Sequence, residues 1–390
     1  MTRVRLRVAW VPLVDAAPLI VAREIGFAAE EGLTLDLMRA PSWSSARDML
    51  TFGAVEAAHM LSPVPVAMSL GLGGTAGQVI APMILSVNGT SIGVSEALAR
   101  RMPPEAFGFD DATVAGRALI AAAQGPLRVG VPFPFSMHAE LLFFWLTTLG
   151  LPAPEALSVR SIPPPLMAEA LAAGEIDAFC VGEPWGTLAV ERGAGRLLLP
   201  SRAIWSFAPE KVLALRRDWV ESEPDLTGRL MRALWRAGRW LAQPEAHVAA
   251  AELLGRPEWL DLPAEWIDRA LTGHMMISPQ GDSRRVDGFV QFHDGAATFP
   301  WRSQAAWIGA RMAGRLGLER SAAVKTAQDV FRSDLYRRHL GPAGALLPGA
   351  SSKVEGAIRS GTAVPSEGGR LLLAENRFFD GRVFDPDAEN

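Results

Sequence analysis

Runs of alternating apolar residues, each followed by an apolar stripe at helical spacing, recur along the first part of the chain. Residues 4–11 alternate valine and leucine with polar neighbours, and residues 16–31 repeat apolar side chains at helical spacing up to Gly32. The same succession follows at residues 33–52 and 57–72. Alternation with period two is typical of a half-buried strand, whereas a 3.6-residue period is typical of an amphipathic helix. The repeated pair therefore predicts an α/β fold.

This strand–helix pattern is interrupted once and then starts again. Residues 91–95 are interpreted as a return strand of the first unit, and the polar, proline-containing residues 97–111 predict a crossover. Strands and helices resume over residues 127–199, and a second crossover near residues 200–209 leads into a strand at 212–216. That strand is expected to re-enter the first unit. Two α/β units joined by two crossovers predict a two-lobed, periplasmic-binding-protein-like (type II) fold that closes on a ligand in its cleft.

The two crossovers divide the chain into two predicted lobes. Lobe I is discontinuous and comprises residues 1–98 together with residues 205–390, whereas lobe II comprises residues 99–204. Helical periodicity with several tryptophans dominates after residue 226 and is assigned to lobe I. The tail over residues 340–390 is rich in glycine, proline and serine and ends in FFDGRVFDP. This composition predicts a loop arm that aromatic side chains anchor to the body.

Composition and charge exclude several classes of partner. The chain is 49% hydrophobic and 21% charged, with a net charge of −4 and a pI near 5.9. A slightly acidic protein of this kind is not expected to bind nucleic acid directly or to bind an anionic membrane surface. No apolar run is long enough for a membrane span, which takes roughly 18 residues or more.

Cysteine usage and the start of the chain bear on the compartment. Cys180 is the only cysteine, so the chain can form neither an internal disulfide nor a cluster of metal-binding thiolates. The first residues contain arginines but no long apolar segment, small-residue cleavage site or lipobox cysteine before the first predicted strand. We therefore expect no export signal and a cytoplasmic protein.

The stretch PLRVGVPFPFSMHAELLFFW, residues 126–145, is the first candidate for a ligand site. It predicts a strand, a turn made by two prolines, and a helix whose N-cap is Ser136. His138 lies in the first turn of that helix, where backbone N–H groups and the helix dipole favour anions. In open α/β folds, ligands bind at the carboxyl ends of strands. The alternative is a solvated histidine near a helix start.

Further candidates stand at corresponding positions of other elements. Trp43 precedes a predicted helix, and Gly182 follows a buried strand at the start of another helix. Lys211 stands at the second crossover, from which it can reach into a cleft. Each has a simpler alternative: an exposed or core tryptophan, and a surface lysine paired with Glu210. Asp15 is interpreted as the N-cap of the first helix.

One pattern weakly suggests enzyme chemistry, whereas the histidines do not suggest a metal site. The motif GTSIG at Gly89–Gly93 fits G-x-S-x-G, the nucleophile elbow of α/β-hydrolases, with Ser91 as the nucleophile. The histidines show no metal-binding spacing such as H-x-x-x-H or H-E-x-x-H, and they stand at positions 59, 138, 247, 274, 293 and 339. We expect no cofactor and no histidine metal site, while a calcium site built from oxygen ligands stays open.

Several stretches together resemble one known family, the nitrate/bicarbonate substrate-binding proteins of ABC transporters. The resemblance runs densely from about residue 8 to about residue 337 and is weaker in FFDGRVFDP. It rests on the segments VDAAPLIVAREIGFAAEEGL, PSWSSARDML, AHMLSPVPV, VGVPFPFSMH, DAFCVGEPWG, APEKVLAL and FPWRSQAAWI. The family fold is the two-lobed one predicted above.

The resemblance implies a set of ligand-binding residues. In nitrate-binding members, a tryptophan, a glutamine, a histidine, a glycine backbone and a lysine hold the anion. The matching positions are Trp43, Thr90, His138, Gly182 and Lys211, with Thr90 standing where the family has its glutamine. Bicarbonate-binding members replace the histidine and the lysine, both of which are kept here. The resemblance therefore implies nitrate or nitrite as the ligand.

The expected absence of an export signal implies one branch of the family. A member without a leader resembles the cytoplasmic nitrate/nitrite sensors of the NasS type, which sequester an RNA-binding antiterminator with an ANTAR domain and release it on binding nitrate or nitrite. We predict such a sensor, which is not an enzyme. The first alternative is an exported nitrate-binding subunit of an ABC transporter. The second is an enzyme, either a hydrolase or a relative of thiamine-precursor synthases.

Overall fold

The computed structural model describes residues 3–74, 78–367 and 369–389. In chain order, its strands are β1 Val4–Trp10, β2 Leu33–Arg39, β3 Ala57–Leu61, β4 Val79–Asn88, β5 Thr90–Ser95, β6 Leu127–Val131, β7 Leu157–Ser161, β8 Ala178–Gly182, β9 Gly195–Pro200, β10 Pro209–Arg216, β11 His274–Met276, β12 Ser283–Arg285, β13 Val290–Gln291, β14 Leu347–Pro348, β15 Thr362–Glu367 and β16 Gly369–Leu373. Its α-helices are α1 Ala17–Glu24, α2 Phe27–Glu30, α3 Trp43–Thr51, α4 Pro63–Ser69, α5 Glu96–Ala99, α6 Ala112–Ala122, α7 Met137–Thr148, α8 Met167–Ala172, α9 Trp185–Glu191, α10 Arg217–Ser222, α11 Pro224–Leu241, α12 His247–Leu254, α13 Ala264–Thr272, α14 Arg302–Leu316, α15 Arg320–Gln328 and α16 Ser333–Leu340. None of these helices combines the length and the apolar character needed to span a bilayer.

Two sheets with the same strand order form the centres of two lobes. The first sheet runs β2-β1-β3-β10-β4-β13, and the second runs β7-β6-β8-β5-β9. In each sheet, the first three strands are parallel, and the strand that arrives through a crossover is antiparallel to both neighbours. This arrangement confirms the predicted two-lobed α/β fold. It also brings the carboxyl ends of the central strands of both lobes towards one cleft.

The first crossover lies earlier than the sequence predicted. The chain leaves the first sheet at the end of β4 and enters the second at Thr90, ahead of the predicted boundary at residue 98. Asn88 and Gly89 make the turn with φ angles of 60° and 91°. The prediction that residues 91–95 return to the first sheet is wrong, because β5 pairs with β8 and β9 instead. A two-residue turn, rather than the polar segment 97–111, moves the chain between the sheets.

The first predicted helix is broken into two. Residues 16–31 form α1 and α2, and Gly26 between them has a φ angle of 100°. This left-handed conformation interrupts the helix, and only glycine adopts it without a steric penalty from Cβ. The residues of α1 from Ala17 to Ala22 are all buried, and the helix packs against β2 and against the helices α11 and α12. The apolar pattern therefore predicts a buried helix, although not the break.

The C-terminal tail is held against both lobes by aromatic packing. Phe378 contacts Trp205 and Trp307 of the first lobe, with ring centroids 4.9 Å and 5.9 Å away. It also contacts Phe144 on α7 of the second lobe, 5.5 Å away. Trp205 Nε1 donates a hydrogen bond of 2.6 Å to Asn376 Oδ1. The aromatic anchors are as predicted, and the tail lies across the second crossover. The tail is not all loop, however, because β14, β15 and β16 form a small antiparallel sheet within it.

Candidate functional site

The two lobes meet directly at the carboxyl ends of their central strands. Val14 N, after β1, donates a hydrogen bond of 2.8 Å to the backbone oxygen of Glu183, after β8. Trp185 Nε1 on α9 donates a bond of 2.7 Å to the backbone oxygen of Pro12. The lobes are therefore closed on each other. The segments after β1, β2, β6 and β8, the strand β3 and the two crossover strands enclose one buried polar site.

Lys211 lies at the centre of the first-lobe half of this site. Its side chain is fully buried, with Nζ 2.6 Å from Asp15 Oδ2 and 2.8 Å from Glu210 Oε1. The register of β10 against β4 shifts on both sides of Lys211. Such a β-bulge re-aims side chains, which explains how the consecutive residues Glu210 and Lys211 meet at one point. The alternative of a surface lysine is wrong, although the pairing with Glu210 is present.

Burial and charge act in opposite directions on the two carboxyl groups beside Lys211. Burial alone would raise the pKa of Asp15, but the Lys211 charge and the contact with His59 lower it to about 2. Burial raises the pKa of Glu210 to about 7, and the Lys211 charge offsets this only in part. The pKa of Lys211 rises because the two carboxylates outweigh its own burial. At neutral pH, Asp15 is ionised, Lys211 is charged and Glu210 is close to half-protonated.

Trp43 and His59 complete the first-lobe half. Trp43 begins α3, where the Ser42 hydroxyl accepts a hydrogen bond from Ser45 N, and the tryptophan side chain is 1% exposed. Its ring lies 5.4 Å from Lys211 Nζ and 5.6 Å from the His59 ring. Trp43 is therefore neither on the surface nor remote from the site.

Sequence reasoning missed His59 and misread Asp15. His59 lies on the buried strand β3, and its Nε2 is 3.0 Å from Asp15 Oδ1. The Asp15 side chain makes no capping bond to α1, so its interpretation as an N-cap is wrong. The available signal was a histidine within an otherwise apolar strand near its carboxyl end, at residues 57–61.

The second-lobe half begins with His138. Ser136 caps α7 as predicted, accepting a hydrogen bond of 3.1 Å from Ala139 N. His138 is fully buried, and its Nδ1 lies 3.3 Å from Glu210 Oε1 across the cleft. Burial and the Lys211 charge lower the pKa of His138 well below its usual value, so the ring is neutral at physiological pH. The alternative of a solvated histidine is wrong.

Thr90 and Gly182 lie side by side at the end of the second sheet. They are cross-strand partners on β5 and β8, and both are buried. A Cβ on Gly182 would lie 2.5 Å from Leu13 Cδ2 of the first lobe and 3.8 Å from His138 Nε2. Position 182 therefore packs so closely against the opposite lobe that a side chain there would disturb closure.

Buried polar atoms of this site lack hydrogen bonds within the part of the chain that the structure describes. They are Trp43 Nε1, Thr90 Oγ1, Glu210 Oε2, both carboxyl oxygens of Asp15, and both ring nitrogens of His59 and of His138. Among the described residues, the Thr90 hydroxyl has only a weak contact with the Cys180 thiol. Buried polar groups are nearly always hydrogen-bonded in native proteins. The Trp43 indole, the Thr90 hydroxyl and one nitrogen of the His138 ring can each donate, so a small anion beside Lys211 would satisfy them.

The hydrolase interpretation of GTSIG does not fit the geometry. Ser91 lies inside β5 rather than on a strand-to-helix turn, and its Oγ donates a 2.9 Å bond to Glu183 Oε1. A nucleophile elbow needs the serine on such a turn, next to a histidine base. Among residues 3–74, 78–367 and 369–389, no group of three histidine, cysteine, aspartate or glutamate side chains could hold a metal ion.

The chain matches the NMT1-like family over residues 2–255. It is 27% identical over 400 residues to the nitrate/nitrite binding protein NrtA of Nostoc sp. strain PCC 7120, covering 98% of this chain and 83% of that protein. It is 29% identical over 348 residues to the nitrate import ATP-binding protein NrtC of Synechocystis sp. strain PCC 6803, covering 87% of this chain and 51% of NrtC. The chain thus spans about half the length of NrtC.

A solved structure supports the same relationship. The crystal structure of the periplasmic nitrate-binding protein NrtA from Synechocystis PCC 6803 superposes with a TM-score of 0.84, at 25% identity, over 99% of this chain and 97% of that one. A bicarbonate transport ATP-binding protein, CmpC of Synechococcus elongatus, is 33% identical over 269 residues, covering 68% of this chain and 40% of CmpC. These relatives confirm the predicted resemblance to nitrate and bicarbonate substrate-binding proteins, and the chain belongs to the NMT1-like family.

Proposed function

We propose that this protein binds nitrate or nitrite in the cleft between its lobes. The observation that carries the proposal is the buried Lys211 surrounded by unpaired donors from both lobes. The NrtA relatives, which are named as nitrate/nitrite binding and nitrate-binding proteins, favour the same ligand. Solute binding, rather than catalysis, is what those relatives are named for.

The chemistry of nitrate fits this donor set. Nitrate is a planar monoanion that stays unprotonated at physiological pH, so it needs donors and a nearby positive charge rather than a base. We propose that Lys211 supplies the charge, and that His138, Thr90 and the Gly182 backbone N–H donate. Trp43 covers one face or donates its indole N–H. Hydrogen bonds to a charged group contribute about 1.5–3 kcal/mol each. Three or four of them, offset by desolvation and closure, give affinities on the order of micromolar.

For the role in the cell, we propose a cytoplasmic nitrate/nitrite sensor that controls nitrate-assimilation genes. In this proposal, an ANTAR-domain antiterminator binds the open form and the anion binds the closed form. Each ligand then opposes the other by differential affinity for the two states. The two-lobed architecture, which can be open or closed, supports this role. The names of the NrtC and NrtA relatives favour the alternative, a nitrate-binding component of an ABC transporter.

Titration calorimetry tests the ligand. We expect nitrate or nitrite to bind the wild type with micromolar affinity, and we expect the Lys211→Ala variant to lose that binding. Bicarbonate is titrated in parallel under the same conditions. Binding of bicarbonate without binding of nitrate or nitrite would contradict the proposed ligand.

The cellular role needs a separate test. Size-exclusion chromatography of the protein with the ANTAR-domain antiterminator from the same genome should show a complex that nitrate dissociates. Fractionation of cells that express the complete native gene decides between the compartments. A protein released by osmotic shock, with no antiterminator complex, would support the transporter component instead.

A further inference from the structure

We propose that the anion binds together with one proton, which the Glu210 carboxyl carries. This inference rests on the proposed anion site and adds a residue that the family resemblance does not assign. It makes ligand binding a proton-coupled event, in which a monoanion and a proton enter the closed cleft as a neutral pair.

The position of Glu210 is the first argument. Its carboxyl group is fully buried, and Oε1 accepts a hydrogen bond of 2.8 Å from Lys211 Nζ. Oε2 has no hydrogen-bond partner within the described residues. An ionised carboxylate with one bare, buried oxygen is poorly solvated, because burial disfavours the charged form. A proton on this carboxyl group removes the charge and gives the group a hydrogen that it can donate.

The charges around Lys211 give the second argument. A single ammonium group is shared by two carboxylates, those of Asp15 and Glu210, and both lie within 2.8 Å of Nζ. With both carboxylates ionised, these three side chains carry one more negative than positive charge. An entering anion then meets net repulsion at low dielectric, where charges interact more strongly than in water. Protonation of Glu210 removes that excess negative charge. Lys211 then faces only one carboxylate, that of Asp15, and can interact more favourably with the ligand.

The contact with His138 gives the third argument. Glu210 Oε1 lies 3.3 Å from His138 Nδ1, and His138 Nε2 points towards Gly182 at the cleft. A neutral imidazole carries one proton, and the partner of one nitrogen decides which tautomer is present. Ionised Glu210 favours the proton on Nδ1 and leaves a lone pair on Nε2. Protonated Glu210 donates to Nδ1, so that Nε2–H is available to donate to the anion.

The other groups around Glu210 do not compete for this proton. Groups face it from each element packed against it: Lys211 from β10, Asp15 from the segment before α1, His138 from α7 and Cys180 from β8. The pKa of Asp15 is lowered to about 2, and the pKa of His59 behind it is lowered by burial. The pKa of Lys211 is raised, as is that of the buried Cys180 thiol. Asp15 therefore stays ionised between pH 6 and pH 8.5, while Lys211 stays charged and the Cys180 thiol stays neutral.

Titration calorimetry with sodium nitrate tests the proton uptake. Because burial raises the pKa of Glu210 to about 7, the free protein is mostly ionised at this residue above pH 8. The anion selects the protonated form, so we expect about thirtyfold weaker binding at pH 8.5 than at pH 6. At pH 8.5, heats measured in buffers of different ionisation enthalpy should report close to one proton taken up per nitrate. A nitrate affinity that is the same at pH 6 and pH 8.5, with no proton uptake, would overturn the proposal.

Two isosteric variants identify the group. Glu210→Gln imitates the protonated carboxyl, and it should bind nitrate with an affinity that does not change with pH. Glu183→Gln is the matched control, because Glu183 is also buried but bonds Ser91 and Thr187 instead of facing Lys211. In this control, the nitrate affinity should depend on pH as it does in the wild type. The assignment of the proton to Glu210 is contradicted if the nitrate affinity of Glu210→Gln still depends on pH. It is also contradicted if only Glu183→Gln loses that dependence. If wild type binds no anion at any pH, the proposed function itself fails.

Discussion

The two lobes contribute chemically different groups to the site. The first-lobe half is charged and internally paired, with Lys211 held between Asp15 and Glu210. The second-lobe half is neutral and consists of a hydroxyl, a glycine and an uncharged imidazole, at Thr90, Gly182 and His138.

The two lobes therefore have different roles in binding: the first supplies the positive charge, and the second supplies neutral donors. A buried charge needs compensation, and the first lobe provides it with its own carboxylates whether or not the cleft is closed. Closure then adds only neutral donors, so the second lobe brings no charge of its own into the low-dielectric site. The first lobe therefore supplies the cation that an anion can pair with, while the second lobe tests the shape and the acceptors of the anion.

The largest expected effect is the loss of the cation. Lys211→Met should weaken nitrate binding by about a hundredfold or more, on the order of 3 kcal/mol, because the remaining carboxylates then repel the anion. Calorimetry at constant pH measures the loss. Lys353→Met is the matched control, because the Lys353 side chain is also mostly buried and is paired with Glu355 within the C-terminal tail, away from the cleft. Equal losses of affinity in both variants would show that the effect is structural rather than local to the site.

The next effect concerns stability and its dependence on pH. The folded-state pKa of Asp15, about 2, lies below its usual value of 3.8, so its ionised form stabilises the fold above pH 4. That stabilisation is about 2 kcal/mol and disappears as the pH falls through the folded-state pKa. Asp15→Asn should therefore unfold more easily in urea at pH 7, with a difference from wild type that narrows below pH 4.

Asp177→Asn provides the comparison for the Asp15 variant. Hydrogen bonding to Arg128 also lowers the pKa of Asp177, but this pair is partly exposed. Water screens such pairs, so its contribution should be clearly smaller. Similar urea midpoints for the two variants at pH 7 would contradict the role of burial.

A third prediction addresses closure from the second lobe. Gly182→Ala places a Cβ against Leu13 across the cleft and should weaken binding by about 2 kcal/mol, roughly thirtyfold, through overpacking. Gly130→Ala is the control, because its Cβ would meet Met167 and Ile176 within the second lobe. It should lower the melting temperature without a matching loss of affinity. Unchanged affinity in Gly182→Ala would show that the closed cleft tolerates a larger residue.

The smallest expected effect separates two neighbouring hydroxyl groups. Thr90→Val keeps the shape but removes the hydroxyl, and it should weaken nitrate binding by about 1.5 kcal/mol, roughly tenfold. Ser91→Ala should leave the affinity unchanged, because Ser91 Oγ is bonded to Glu183 on the other side of β5. If Ser91→Ala loses as much affinity as Thr90→Val, the second-lobe donors are assigned to the wrong face of the strand.

The sequence predicts the second-lobe half of the site better than the first. His138 lies within one continuous signal: alternating strand residues, two prolines and a serine cap, all within 20 residues of chain. Local rules of strand and helix formation therefore suffice to locate it. Ser136 caps α7 as those rules require.

The first-lobe half depends on contacts between distant parts of the chain. Asp15 and His59 meet Lys211 only after β1, β3 and β10 have assembled, and a β-bulge sets the direction of the Lys211 and Glu210 side chains. The bulge cannot be recognised from any local pattern in the sequence. The same is true of the burial that shifts the pKa values of the carboxyl groups. The crossover at Asn88–Gly89 was missed for a related reason, since two residues change sheets without a visible linker.

The exchange of strands between the sheets has a consequence for how the molecule assembles. The strands of the second sheet all lie between Thr90 and Pro200, whereas in the first sheet β10 pairs with β3 and β4 from far earlier in the chain. The first lobe is therefore not a contiguous piece that can be excised or transplanted alone. Contacts between such distant residues slow folding, because long loops must close before they contribute. During synthesis on the ribosome, the first sheet can be completed only after β10 and β13 have been made.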